Sequence, residues 1–392
     1  MKPPPIPLSG WADAELEACV ALSGSAEIAA LSGGGLMGER AALGGFSVPG
    51  RTSAGGGCRL FAAVGGHVAL NLSRPGDRAL LPALFGDAAV DPDDDEEVAE
   101  RLSREDPVLV VARGRMLGLA IAGLDEAPVS PACAVAAQRD MTPPRPTRPL
   151  VIDLSALWAG PLATSLLRLA GAEVVKVESR TRPDSMRAGD PALFGRLNQG
   201  KASVAVDLRT PAERDALVAL IRGAQIVVEA SRPRALRQLG IDAGALVRET
   251  PGLIWITITG HGASGMAADW IGFGDDCGVA GGLSAALRDA TGQVGFVGDA
   301  CADPLTGIYA ARVALARYSG GMGGHLLLSM SGIVAEALAA ERRRDANALV
   351  GALEQWAQAV GRPFPAVAPR EAGRVAALGE DNGVWLKSCP TS

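Results

Sequence analysis

Asp303 stands directly before Pro304 and a long apolar run, in the stretch Gly298-Asp299-Ala300-Cys301-Ala302-Asp303-Pro304-Leu305-Thr306-Gly307. A carboxylate at a helix start among small residues has two uses. It can cap the helix, since Asp followed by Pro at the first helical position is an ordinary start signal. It can also be a nucleophile, because small neighbours let backbone N–H groups approach a reacting carbonyl. Asp299, four residues earlier, is the competing carboxylate. A second point of chemistry is the turn Trp158-Ala159-Gly160-Pro161. There a helix N-terminus follows a strand, and its free N–H groups can hold phosphate. Arg180, Arg182 and Arg187 come after the next apolar run; they can pair phosphates or form a solvated loop.

The elements that must position these groups are legible around them. Val151–Leu154 is an apolar run ending near an acid, Ala159 to Pro161 starts a helix, Gly171 stops it, and Glu173–Glu178 reads as a second strand. This is a βαβ pattern of parallel α/β type, which aims a helix N-terminus at the carboxyl ends of strands. Before it, residues 1–125 hold a helical start (Ala14–Leu31), a glycine-rich loop at Gly55, Gly56 and Gly57, and two strands, Arg59–Val64 and His67–Leu72. Residues 126–149 are proline-rich and aperiodic, which reads as a linker. After the charged run at Glu341–Asp345 come one helix, Ala346–Val360, and a proline-rich tail.

Composition bounds the function. The chain has 392 residues, enough for two domains. Hydrophobic residues make up 48% and charged residues 20%, which fits a globular enzyme. The net charge is −6 with no basic stripe, so nucleic acid is not expected as a partner. No secretory leader and no run long enough to span a membrane is read from the sequence. Cys19, Cys58, Cys133, Cys277, Cys301 and Cys389 are scattered without a Cys-x-x-Cys pair, and His67, His261 and His325 lie far apart. The reading is reduced thiols in a cytoplasmic protein, with no metal site and no disulfide framework.

Several ordered blocks carry a resemblance. IDLSALWAGPLATSLLRLAGAEVVKVES, Asp184-x-x-Arg187, NQGKASVAVDLRTPAERDAL, QIVVEASRPRALRQLGID, ETPGLIWITITGHGASG and ADPLTG together resemble the class III CoA-transferase family, which includes formyl-CoA transferase, carnitine CoA-transferase and alpha-methylacyl-CoA racemase. The resemblance implies an α/β fold, with a Rossmann-like parallel-sheet CoA-binding domain and a smaller α+β domain. It implies a transferase that moves coenzyme A between an acyl-CoA and a free carboxylic acid through an aspartyl intermediate. Acyl-CoA is then a substrate, and no tightly bound cofactor is expected. Asp303 matches the family's nucleophile. CoA contacts are implied at Trp158, Ala159, Arg180, Lys201, Leu208, Arg209 and Thr210. Gly55, Gly56 and Gly57 match a flexible loop that covers the acyl intermediate, or else form a plain hairpin loop. A homodimer is implied, interlocked in relatives.

The order of parts departs from the family. Too little sequence follows Gly332 to build the small domain, and residues 1–125 resemble that missing part. The expected division is therefore a small domain at 1–125, a linker at 126–149, the large CoA-transferase domain at 150–342, and a helix with a returning tail at 343–392. Permutation and partial duplication both account for this order. A weak echo between the stretches from Trp11 and Trp270 favours duplication. Contacts are also thinned: Ala230-Ser231 replaces the family's Asn-Phe pair, and Ala202 replaces an Arg beside Lys201. The alternative is a weakened acyl-CoA-binding paralogue or subunit. A racemase is disfavoured, because Phe273 falls where the racemase histidine would stand and has no proton to move.

Overall fold

The computed structural model describes residues 4–140, 145–232 and 234–386. Two apolar runs meeting at a tight glycine pair form an antiparallel hairpin, β1 (Cys58–Ala63) and β2 (Gly66–Asn71). A third strand, β3 (Ala120–Gly123), completes a small sheet in the order β1-β2-β3. Helices Asp95–Ser103 and Pro107–Leu117 pack on it around Phe61, Leu70, Val98, Leu102 and Ile121.

Among the described residues the main sheet has seven strands. They are β4 (Cys133–Ala137), β5 (Leu150–Asp153), β6 (Glu173–Ser179), β7 (Ala202–Val206), β8 (Ile226–Glu229), β9 (Ile254–Thr259) and β10 (Gly324–Ser329). Their order is β4-β10-β9-β8-β5-β6-β7. β4 runs antiparallel to β10 and the other pairings are parallel. Val, Ile and Leu dominate β5, β8 and β9 because both faces are covered, which removes any need for a polar side. One face packs on Leu162, Leu166, Leu305 and Ile308, the other on Leu217, Ile221 and Val247.

Two helices set the site. Ala159–Leu169 follows β5, and Ala302–Gly320 lies against it. Gly307 permits the close approach: a Cβ there would stand 2.8 Å from the Ala159 carbonyl oxygen and 2.9 Å from Leu162 Cβ. The first helix of the chain, Ser9–Ser23, packs on Ala302–Gly320, with Trp11 stacked on Tyr309 at 6.1 Å.

The structure divides the stretch expected as one small domain at 1–125. Ser9–Gly44 packs on the helices of the large sheet, and the small antiparallel body begins only at β1. The aperiodic stretch 126–149 is not wholly a linker, since its small-residue run Cys133–Ala137 supplies edge strand β4; its residues 141–144 lie outside the described residues. The helix expected at Ala346–Val360 is the second half of Met330–Gln358. A break at Asp345 (φ −162°, ψ 96°) divides that helix, and Asp345 caps Ala348 at 2.9 Å. The final stretch returns along β7, where Asp381 accepts from Ser203 N–H at 2.7 Å and Asn382 accepts from Ala205 N–H at 2.8 Å.

Candidate functional site

The loop before the Ala302–Gly320 helix is tightly bent. Gly298 has φ 81° and Ala300 has φ 43°, a left-handed conformation that costs a residue with a Cβ. Ala300 is held there at both ends: its N–H donates to Asp275 at 3.1 Å, and its carbonyl accepts from Asp303 N–H at 2.9 Å. Leu157, in the loop after β5, also has positive φ, 65°. Strain of this kind collects where the surroundings hold a loop for use. Gly274 closes the space behind: a Cβ there would lie 2.3 Å from Asp303 Oδ2.

Three carboxylates and one guanidinium meet at this loop. Arg40, from helix Gly33–Gly44, grips Asp299 with two nitrogens, one of them Nε at 2.9 Å. Its guanidinium also lies over the rings of Trp158 and Phe46, at 5.2 and 5.9 Å. Burial works against the charge on Arg40, but Asp299, Asp275 and Asp303 outweigh it and raise its pKa above the ordinary value. Asp275 is pushed up to about 6, first by burial and then by neighbouring Asp299; Arg40 and the Ser53 hydroxyl act against the rise. Asp303 is pushed up to about 7, again first by burial, with Asp275 and Asp299 adding to it. Arg40 and a hydrogen bond from Ala159 N–H hold it down. Asp303 is thus divided between its neutral and ionised forms near neutral pH.

A cavity of about 270 Å³ opens beside it. Its floor is the carboxyl edge of β5, β8, β9 and β10, represented by Leu157, Ser231, Thr259 and Met330. That is where open parallel sheets bind ligands. Of the three clustered carboxylates, only Asp303 lines it. Arg232 and Arg74, the latter paired with Asp77, stand in the wall, and Phe273 faces the same space.

The site residues expected from the sequence separate into groups. Ala159 and Asp303 meet, as do Ala230 and Ser231 along the cavity. The glycine loop reaches the cluster from the other side: a Cβ on Gly55 would lie 3.2 Å from an Arg40 nitrogen. Gly56 has φ 78°, and Gly57 packs on Ser73. The Trp158 indole is buried beneath Arg40 and is not among the residues lining this cavity. Lys201 lies apart from it as well. Its ammonium is buried and bonds to Asp153, Thr164, Asn198 and the Pro161 carbonyl at 2.7–3.0 Å, which leaves it no donor for CoA. Arg180 pairs with Glu213 at 2.9 Å and Arg209 with Asp207 at 2.8 Å, both on the surface near β7. Leu208 packs under the sheet and Thr210 begins helix Pro211–Arg222. None of these four touches the Asp303 cavity. Arg187, read as an alternative phosphate partner, is taken up by Glu178 at 2.6 Å. Sequence reasoning missed Arg40, Asp275 and Ser53. Only Asp275 left a signal, as the acid directly after Gly272-Phe273-Gly274.

A family model described as CoA-transferase family III matches residues 149–359. The succinate–glutarate CoA-transferase of Agrobacterium fabrum is 36% identical over 173 residues, covering 41% of this chain and 43% of the relative. The succinyl-CoA–D-citramalate CoA-transferase of Chloroflexus aurantiacus is 35% identical over 186 residues, covering 45% and 46%. The chain spans about half the length of the curated relatives it matches. Among solved structures, Rv3272 from Mycobacterium tuberculosis is 27% identical, with a TM-score of 0.45 over 53% of this chain and 59% of that one.

Proposed function

The chain belongs to CoA-transferase family III, and from that premise we propose that it moves coenzyme A from an acyl-CoA thioester to a free carboxylic acid, with Asp303 as nucleophile. The observation that carries the reading is that Asp303, alone of three clustered carboxylates, lines the cavity. An Asp303 oxygen attacks the thioester carbon, the carbon–sulfur bond breaks, and CoA leaves as thiolate. The thiolate then attacks Asp303 Cγ of the mixed anhydride, which releases the donor acid and leaves an aspartyl-CoA thioester. An acceptor carboxylate reverses the two steps. Covalent relay suits this exchange because it replaces one difficult step by easier ones. Ala159 N–H, already donating to the carboxylate, is positioned to stabilise charge that develops on it. Asp299, held by Arg40 in two bonds, fixes the loop and is not free to attack.

The test is incubation with a panel of acyl-CoAs followed by intact-mass analysis. An adduct on the native chain that is absent from Asp303→Asn supports the reading; an adduct that survives Asp303→Asn sinks it. A second reading is an acyl-CoA-binding protein with little turnover. It is favoured by one observation: Ala230 and Ser231 line the cavity, and the Ser231 hydroxyl is tied to Glu229. Saturable acyl-CoA binding without any adduct would select it. Phe273 on the cavity wall speaks against a racemase, which must exchange the alpha proton of its substrate. The homodimer is also proposed, supported by the exposed Val108, Leu109 and Met116 on one helix of the small body. A monomer by light scattering at micromolar concentration would overturn it.

A further inference from the structure

His261 lies in the turn after β9, and Asp276 and Cys277 lie in the first turns of helix Gly274–Ala280. Fourteen residues lie between His261 and the adjacent pair Asp276-Cys277 and no ligand motif joins them, yet the fold buries all three together. His261 is 2% exposed and the other two are 0%. One ligand atom from each, His261 Nε2, Asp276 Oδ2 and Cys277 Sγ, lies within 4.8 Å of the others. Nε2 and Oδ2 are 3.8 Å apart, and Sγ and Oδ2 are 3.9 Å apart. Tetrahedral bonds of about 2.0 Å to nitrogen or oxygen and about 2.3 Å to sulfur give edges of roughly 3.3–3.5 Å for one sulfur with nitrogen and oxygen. These two separations are therefore within reach of a tetrahedral site after small side-chain shifts.

Two independent features point to a ligand. The His261 ring lies beside the Ile271 backbone, with Nε2 turned towards Asp276 Oδ2 at 3.8 Å. That buried Nε2 has no hydrogen-bond partner among the described residues. A buried polar atom left unmatched calls for an explanation. The second feature is Gly272. A Cβ there would stand 2.5 Å from Cys277 Sγ, 2.9 Å from His261 Nε2 and 3.2 Å from Asp276 Oδ2. Any side chain at this position would occupy the space that all three ligand atoms face.

We propose that His261, Asp276 and Cys277 bind one divalent metal ion, with zinc the best match to an imidazole, a carboxylate and a thiolate, and a water as fourth ligand. Thiolate and carboxylate together neutralise the dication. The ion would tie the turn after β9 to the start of the Gly274–Ala280 helix. Gly260, Gly272 and Phe273, which belong to those two segments, line the cavity at Asp303. The three ligand side chains do not, so the ion would hold the wall of the site and take no part in the transfer.

The experiment uses the full chain, reduced and stripped with a chelator, then titrated with Co²⁺ without oxygen. One equivalent should bind with a thiolate-to-cobalt charge-transfer band and be displaced by Zn²⁺. Cys277→Ser should lose the band, and Cys19→Ser, which removes a buried thiol elsewhere, should keep it. His261→Gln should weaken binding at least about 10–100-fold. If Cys277→Ser fails to fold, the native chain still decides: saturating Zn²⁺ should raise its unfolding temperature, as any ligand of the folded state does. A titration with no stoichiometric band and no thermal shift overturns the site, as does a band that survives Cys277→Ser. None of these readouts depends on transfer activity.

Discussion

Two charge clusters touch the helix Ala159–Leu169, one at Pro161 and Thr164 and one at Ala159, and they are built on opposite plans. Beneath β5 and β6, Asp153 and Asp184 face Lys201 and Lys176, two charges of each sign. Asp153 accepts from Lys201 at 2.9 Å, Thr164 at 2.6 Å and Ser155 N–H at 3.0 Å. Lys176 donates to Asp184 at 3.1 Å and to the Ser155 carbonyl at 3.0 Å. Burial alone would raise the Asp153 pKa, but Lys201 and Lys176 outweigh it and hold the carboxyl well below its ordinary range. Lys201 is drawn down to about 8 by burial, with Asp153 opposing. The second cluster sets one guanidinium against three carboxylates, and there the pKa values of Asp275 and Asp303 rise. A balanced, fully bonded cluster holds the chain in place. An unbalanced one leaves a carboxylate that gives up and regains a proton near neutrality and meets a cavity, which is what a nucleophile requires.

The sharpest way to break this contrast is to neutralise one member of each cluster. Asp303→Asn is expected to cut CoA transfer by about 10⁴-fold or more while the far-UV spectrum and the folding transition persist, since nucleophiles of covalent relays are rarely replaceable. Lys201→Met is expected to do the reverse. It strands Asp153 in the interior, at a cost of about 3–5 kcal/mol in denaturant unfolding. Should Lys201→Met fold normally but lose CoA affinity, the structural role assigned to Lys201 is wrong.

A smaller effect sharpens the second cluster. The rate of transfer is expected to rise with pH through about 7, because Asp303 must ionise to attack. Arg40→Gln removes the cation that favours the ionised form, so this limb should move to higher pH, by about one unit or about 1.4 kcal/mol. An unmoved limb would mean that Arg40 does not act on Asp303. The smallest expected effect is on stability. Asp303 has a folded pKa of about 7 against an ordinary 3.8, so its stabilising contribution is complete below about pH 4 and is lost as pH rises through 7. Asp303→Asn escapes that loss. Its melting temperature relative to the native chain should be higher at pH 8 than at pH 5, by roughly 1–3 °C for a partly exposed group.

How far the sequence could be read follows from where each contact comes from. The βαβ unit and the helix after Asp303 were legible because local apolar runs and glycine stops define them. Ala159 and Asp303 were legible because both sit at helix starts. Arg40 was not, because it reaches Asp299 across 259 residues through a helix of mostly small residues with no functional pattern. Lys201 was read as a CoA contact because nothing next to it in sequence announces Asp153 and Thr164, which arrive from β5 and the helix after it. β4 was hidden because Cys133–Ala137 is short, lacks alternation and gains its strand character from pairing with β10. The Ser9–Gly44 helices were grouped with the small body because adjacency in the chain suggested it. Their packing partners, Tyr309 and Asp299, lie in the other half of the sequence.

The central claim is that the Asp303 carboxylate passes through the anhydride, and oxygen labelling tests it most directly. With an acceptor acid carrying ¹⁸O in its carboxylate, each turnover should leave one labelled oxygen in the side chain of the nucleophile. Peptide fragmentation after turnover is predicted to find the label on Asp303 and not on Asp299 or Asp275. Label on either of those two, or transfer that proceeds with no label on any of the three, would contradict the account.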